Sequence, residues 1–142
     1  FAPADPNAKW ITAPGGPLLL RFLTGDTHSW EPLNDLQARF WTTSYPSKTV
    51  IEVMRAVNRA NEKIETVEAP RVQVFYSPED SVISTTALLS AYEKIQSRQK
   101  AITSIMETGS PSAHILAGDI ISPNNTQPMV EQIEAFILRQ DP

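Results

Sequence analysis

Cysteine is absent from the 142 residues. That excludes disulfides, thiolate-held zinc, iron–sulfur clusters and a cysteine nucleophile supplied by this chain. It leaves the redox compartment open, because a zero count fits both kinds. An excess of basic charge is also absent. Lys+Arg number 12 and Asp+Glu 16, for a formal charge of −4. This argues against a nucleic-acid binder, which needs a basic face to meet phosphates. No apolar run approaches the roughly 20 residues needed to span a bilayer. Glycine is scarce at 5, while proline reaches 12. What remains is ordinary for a globular protein, with 41% hydrophobic and 20% charged residues. A core can form, and the length suits one domain of common size.

The prolines are unevenly placed. Six of the 12 lie between Pro3 and Pro46. That third also holds Gly15, Gly16, Gly25 and the tryptophans Trp10, Trp30 and Trp41. Such composition suits short helices joined by irregular loops. One helix is expected over 17–23, where Pro17 suits a first turn and Gly25 a stop. A second is expected over 32–42. No strand is expected before residue 70.

The rest reads as alternation. Ser47 can cap a helix over 47–67, with Val50, Ile51, Met54, Val57 and Ile64 at helical spacing. Ala69 and Pro70 are expected to end it. Residues 71–77 are β-branched and aromatic, hence a strand. Ser77-Pro-Glu-Asp80 is turn chemistry. A helix follows over 84–97, a second strand over 101–106, a loop over 108–125 and a closing helix over 128–140. Helix and strand in this order predict a parallel α/β arrangement. Two strands do not make a stable sheet of that kind, so the sheet looks incomplete. Strands from another chain, or a missing N-terminal half, would complete it.

In open α/β sheets, functional residues gather past the C-terminal ends of strands. Asp80 falls there after the first strand and His114 after the second. A carboxylate that accepts the Nδ1 proton fixes the tautomer, and Nε2 can then take a proton from a nucleophile. Glu79 is the rival acid. The competing readings are a turn or cap role for Asp80 and a surface loop role for His114. His28 lies near Asp26 and Glu31, but two histidines in the whole chain make weak metal ligation. Asn124-Asn-Thr126 matches a glycosylation sequon, which is a frequent chance match.

Residues 69–83, Ala-Pro-Arg-Val-Gln-Val-Phe-Tyr-Ser-Pro-Glu-Asp-Ser-Val-Ile, resemble the acid-bearing strand of α/β-hydrolases. Ser112-Ala-His-Ile-Leu-Ala-Gly-Asp119 is similar to their histidine loop, and Ala135-Phe-Ile-Leu138 to the end of their last helix. The resemblance covers 47–142, and 1–46 would match the cap inserted after the sixth strand. It implies a serine hydrolase of the esterase or monoacylglycerol-lipase kind, with Asp80 and His114 as acid and base. No metal or organic cofactor is implied. The substrate would be a small ester, bearing an acyl chain if the apolar cap residues Leu19, Phe22 and Leu23 line its pocket. The family nucleophile sits in Gly-x-Ser-x-Gly. No such pentapeptide occurs here: Gly109-Ser-Pro-Ser-Ala113 lacks the second glycine and falls in the histidine loop. The His-Gly-Gly type of oxyanion segment is absent too. Phe1 would then begin just past a sixth strand, and the nucleophile would lie in the missing half or a partner chain. The alternative is a non-enzymatic α/β interaction domain that completes its sheet with a partner.

Overall fold

The computed structural model describes Ile11 and residues 13–139. The expectations for Trp10 and the first prolines lie outside these residues. The chain is mixed α/β and divides into two compact units, one ending at Glu62 and one beginning at Lys63. No described helix is long and apolar enough to cross a membrane.

In the first unit, α1 (Gly16–Thr24) carries Pro17 in its first turn. It stops at Gly25, whose φ is 73° and whose N–H reaches Arg21 O. Only glycine takes that conformation without cost, so the sequence marks the stop. Two strands then appear where none is expected: β1 (Thr27–Ser29) and β2 (Ser44–Pro46), paired antiparallel. Three residues are too few for an alternation signal. Their pairing is read instead in the cross-strand contacts, Ser29 Oγ to Ser44 Oγ at 3.0 Å and the His28 and Tyr45 rings at 5.2 Å. Between them α2 (Asp35–Phe40) is shorter than expected. Asn34 Oδ1 accepts from Gln37 N at 2.8 Å, and Gln37 Oε1 accepts from Leu33 N at 2.6 Å. This reciprocal cap starts the helix at Asp35 and leaves Pro32 outside it. The long α3 (Lys48–Lys63) follows Ser47 and gives way to a single 3-10 turn, Ile64–Thr66. Sequence reading assigns this helix to the core segment, whereas it groups almost wholly with the first unit.

The second unit is built on two parallel strands, β3 (Glu68–Tyr76) and β4 (Gln96–Ser104), joined by α4 (Thr85–Lys94). Both strands start earlier than expected. Pro70 does not end a helix; it lies inside β3. Gln96 and Ser97 belong to β4 because α4 stops at Lys94. Ser84 caps α4, its Oγ accepting from Ala87 N. The closing α5 (Pro123–Leu138) also starts earlier, with Pro123 in the first turn and Pro128 inside the helix.

Two cations on the strands hold the helix ends. Lys100 Nζ donates to Tyr92 O at 2.5 Å and Ile95 O at 3.2 Å, at the end of α4. Arg71 donates to Ile137 O at 2.7 Å and to Arg139 O, at the end of α5. Positive charge favours a helix C-terminus. Lys100 shares a register position with Val72, and Arg71 with Gln99. Neighbouring positions on a strand point to opposite faces. The two helices therefore cover opposite faces of the sheet, as a parallel sheet requires. Replacing Arg71 with alanine is expected to lower stability by about 1 kcal/mol, the scale of a partly exposed charged helix cap. Urea unfolding curves measure this; an unchanged midpoint would show the cap to be inert.

Candidate acid–base site

The parallel register keeps the C-terminal ends of β3 and β4 level, Tyr76 facing Ser104. The two following segments therefore emerge on one side. After β3 the chain makes a tight turn, Asp80 N donating to Ser77 O at 3.2 Å around the fully buried Ser77. Asp80 Oδ1 then accepts from Val82 N at 2.8 Å and Ile83 N at 3.0 Å. This is the local side-chain to backbone pattern that short acidic residues favour in turns. It consumes one carboxylate oxygen and aims the other.

The segment after β4 is held from several directions. Ser122 Oγ accepts from Gly109 N at 2.9 Å and donates to Ile115 O at 2.5 Å. Asn125 Nδ2 donates to Glu107 O and Leu116 O, and Thr126 Oγ1 accepts from Gly118 N. Asn125 and Thr126, the last two residues of the sequon, thus tie the loop to the start of α5. A Cβ on Gly109 would sit 1.7 Å from Ile121 O, so no larger residue fits without moving backbone. Ala113, next to His114, has φ 53°, the one non-glycine residue with positive φ among those described. Ser81 N and Ser81 Oγ both donate to Ser112 O, at 3.0 and 3.2 Å. The acid turn is thereby bonded to the histidine loop two residues before His114.

These constraints bring the two sequence-predicted residues together. Asp80 Oδ2 lies 2.8 Å from His114 Nδ1. Glu79, the rival acid, is not the partner. The Asp80 side chain is 6% exposed and that of His114 35%. Burial works to raise the Asp80 pKa. The hydrogen bonds from His114, Ile83 and Val82, with the charge on His114, outweigh it and hold the carboxyl below its ordinary value. Asp80 therefore stays a carboxylate and accepts the Nδ1 proton. An imidazole that donates from Nδ1 keeps, in its neutral form, a lone pair on Nε2, the form of a general base. Beside the pair lies a cavity of about 340 Å³, lined mostly by apolar groups of β3 and α4, with Ile83 and Leu116 near the pair.

The other candidates part from this picture. Leu19, Phe22 and Leu23 lie on α1 in the other unit, 49%, 85% and 64% exposed. His28 stands across from Tyr45 in the hairpin, and Asp26 pairs with Arg21. No cluster of three metal-ligating groups occurs among the described residues. Sequence reasoning missed Ser81, Ser112 and the positive φ at Ala113. The only signal for them was a loop dense in serine. Comparison with protein-family models, curated proteins and solved structures finds no match for this chain.

Two outcomes follow from this geometry. Asp80 has its pKa lowered on folding, so its contribution to stability is complete above the unfolded carboxylate value near pH 4. It is lost as pH falls through the lower folded value. Asp80→Asn is expected to flatten that acid-side fall in urea titrations, and an unaltered pH profile would contradict the assignment. Ala113→Gly should stabilise by up to about 1 kcal/mol, while Ala113→Val should destabilise by more than that. Equal midpoints for the two variants in thermal melts would contradict a strained φ.

Proposed function

We propose that this chain is the acid- and base-bearing part of a serine hydrolase with an α/β-hydrolase fold, acting on carboxylic esters. The observation that carries the reading is the 2.8 Å contact between Asp80 Oδ2 and His114 Nδ1 at the C-terminal end of parallel strands. In the complete enzyme His114 Nε2 removes the proton of a serine hydroxyl supplied from outside this chain. The serine oxygen bonds to the ester carbonyl carbon. His114 then passes that proton to the departing alcohol. Water, losing a proton to the same Nε2, adds to the acyl carbon; the serine oxygen leaves and takes the proton back. Asp80 stays ionised and stabilises the imidazolium in both halves. Ser110 and Ser112 bond to each other at 3.0 Å. The exposed apolar face of α1 fits the cap reading of the first unit and the preference for acyl chains.

The second reading is a non-catalytic α/β interaction domain. One observation favours it: Asp80 Oδ1 holds its own turn, a structural role that needs no chemistry. The two readings separate by experiment. The isolated chain is expected neither to hydrolyse p-nitrophenyl butyrate nor to bind a fluorophosphonate covalently; turnover by the chain alone would place the nucleophile within it. In the assembled enzyme, bearing a Gly-x-Ser-x-Gly segment, His114→Ala is expected to lower kcat by roughly 10⁴-fold or more. Asp80→Asn should cost a comparable factor with little change in KM. Undiminished kcat in both variants would favour the interaction domain.

A further inference from the structure

His114 is held on both sides of its own backbone, and the two holds are unlike. Before it, Ser110 to Ala113 form a turn with Pro111 in its second position, and Ala113 N donates to Ser110 O at 2.9 Å. The carbonyl of that same peptide, Ser112 O, accepts twice from Ser81: from N at 3.0 Å and from Oγ at 3.2 Å. Ser112 Oγ is paired with Ser110 Oγ at 3.0 Å and takes no part in this contact. After His114, Ser122 Oγ donates to Ile115 O at 2.5 Å. Ser122 is buried, whereas the Ser81 hydroxyl bond stands in solvent. The hold after the histidine is shut in, and the one before it competes with water.

The exposed hold keeps a peptide in a costly orientation. Ala113 is buried at φ 53°. A residue with a Cβ avoids this region, and alanine has no polar side chain to bond its own backbone there, as Asn and Asp do. A peptide plane is rigid, so turning it over changes ψ of Ser112 and φ of Ala113 together. That turn would return Ala113 to negative φ, and it would swing Ser112 O away from both Ser81 donors. It would not stop there. In the left-handed region ψ lies at about +30 to +60°, which at negative φ falls between the right-handed and extended wells. Settling in either well changes ψ of Ala113, and that rotation carries His114. With Ile115 O fixed by Ser122, the imidazole is what moves. Backbone strain of this kind persists only where neighbours over-determine it. Here the neighbour is the residue next to the acid.

We infer that Ser81 is a positioning residue whose hydroxyl latches the strained Ser112–Ala113 peptide and so keeps His114 Nδ1 against Asp80. Without the latch, a share of the molecules relaxes at Ala113 and the acid–base pair parts. Asp80 orients the imidazole by direct contact; Ser81 acts on it only through the loop backbone. The consequence for turnover rests on the hydrolase reading. The latch does not, since every atom of it belongs to this chain.

The test is NMR of the imidazole nitrogens of the full chain, at a pH where His114 is neutral, with scalar couplings at Ala113 reading its φ. The unaltered chain is expected to show a hydrogen-bonded Nδ1–H and positive φ. Ser81→Ala should lower the ratio of paired to unpaired His114 by about fivefold, the weight of one hydrogen bond. Ser81→Thr keeps the hydroxyl and should restore the ratio. Ala113→Gly removes the steric gain of relaxing, so Ser81→Ala in that background should lose most of its effect. A plain packing role would lower the melting midpoint of Ser81→Ala yet leave the tautomer and φ unaltered; that result overturns the latch. Equal loss of pairing in the alanine and glycine backgrounds overturns its coupling to Ala113. If Ser81→Ala does not fold, Ser81→Cys keeps the shape, weakens the donor and should show the same loss; unaltered pairing in it overturns the latch. In the assembled enzyme Ser81→Ala should lower kcat by a similar factor with KM unchanged. Absence of ester hydrolysis there overturns the hydrolase reading and leaves the latch, which the spectra alone decide.

Discussion

The parallel pairing of β3 with β4 is the constraint from which the second unit follows. Antiparallel strands would send the segments after Tyr76 and Ser104 to opposite ends of the sheet. In the parallel register these residues are partners, and both segments leave on one side. Only then can Ser81 reach Ser112 O, and only then can a carboxylate after one strand meet an imidazole after the next. The same pairing sets the faces. It turns Lys100 to the end of α4 and Arg71 to the end of α5, each cation meeting the negative end of a helix.

The acid–base pair is the product of competing effects on Asp80. Burying a carboxylate is unfavourable unless hydrogen bonds replace lost water. Here two backbone N–H groups and one imidazole N–H do so. The balance favours the ionised form, and the carboxylate in turn fixes which nitrogen of His114 carries the proton. His114 keeps partial exposure at the mouth of the cavity. Its backbone is held by neighbours with no chemistry of their own: a serine clamp, a small residue at positive φ, and a glycine wedged beneath Ile121 O.

Much of this was legible in the residues, for local reasons. Pro17 and Gly25 bracket α1 because fixed and left-handed φ values mark a start and a stop. Ser84 and the stripe behind it announce α4. Asp80 and His114 stood out because each falls in the segment that follows a β-branched run. Errors fell where a local signal met a non-local one. Pro70 reads as a breaker, yet it fits a strand where one ladder bond is simply omitted. Pro128 reads as a helix start, yet α5 already runs from Pro123. The hairpin of β1 and β2 exists by cross-strand pairing alone, and three residues leave no period to read.

By itself, the sequence determined the alternation of helix and strand, the stops at glycine, and the residue types able to share a proton. These depend on φ preference, side-chain branching and donor chemistry, which act within a few positions of the chain. It also determined what the chain does not supply, a cysteine and a Gly-x-Ser-x-Gly serine. The tertiary structure set Asp80, which the sequence reading ranked ahead of Glu79, against His114 Nδ1, since the contact depends on where a turn aims its carboxylate. It decided that Gly109 and Ala113 matter, because close approach and positive φ arise from neighbours distant in sequence. It decided, too, which side of β3 is paired, since the direction of a backbone N–H exists only once strands are paired.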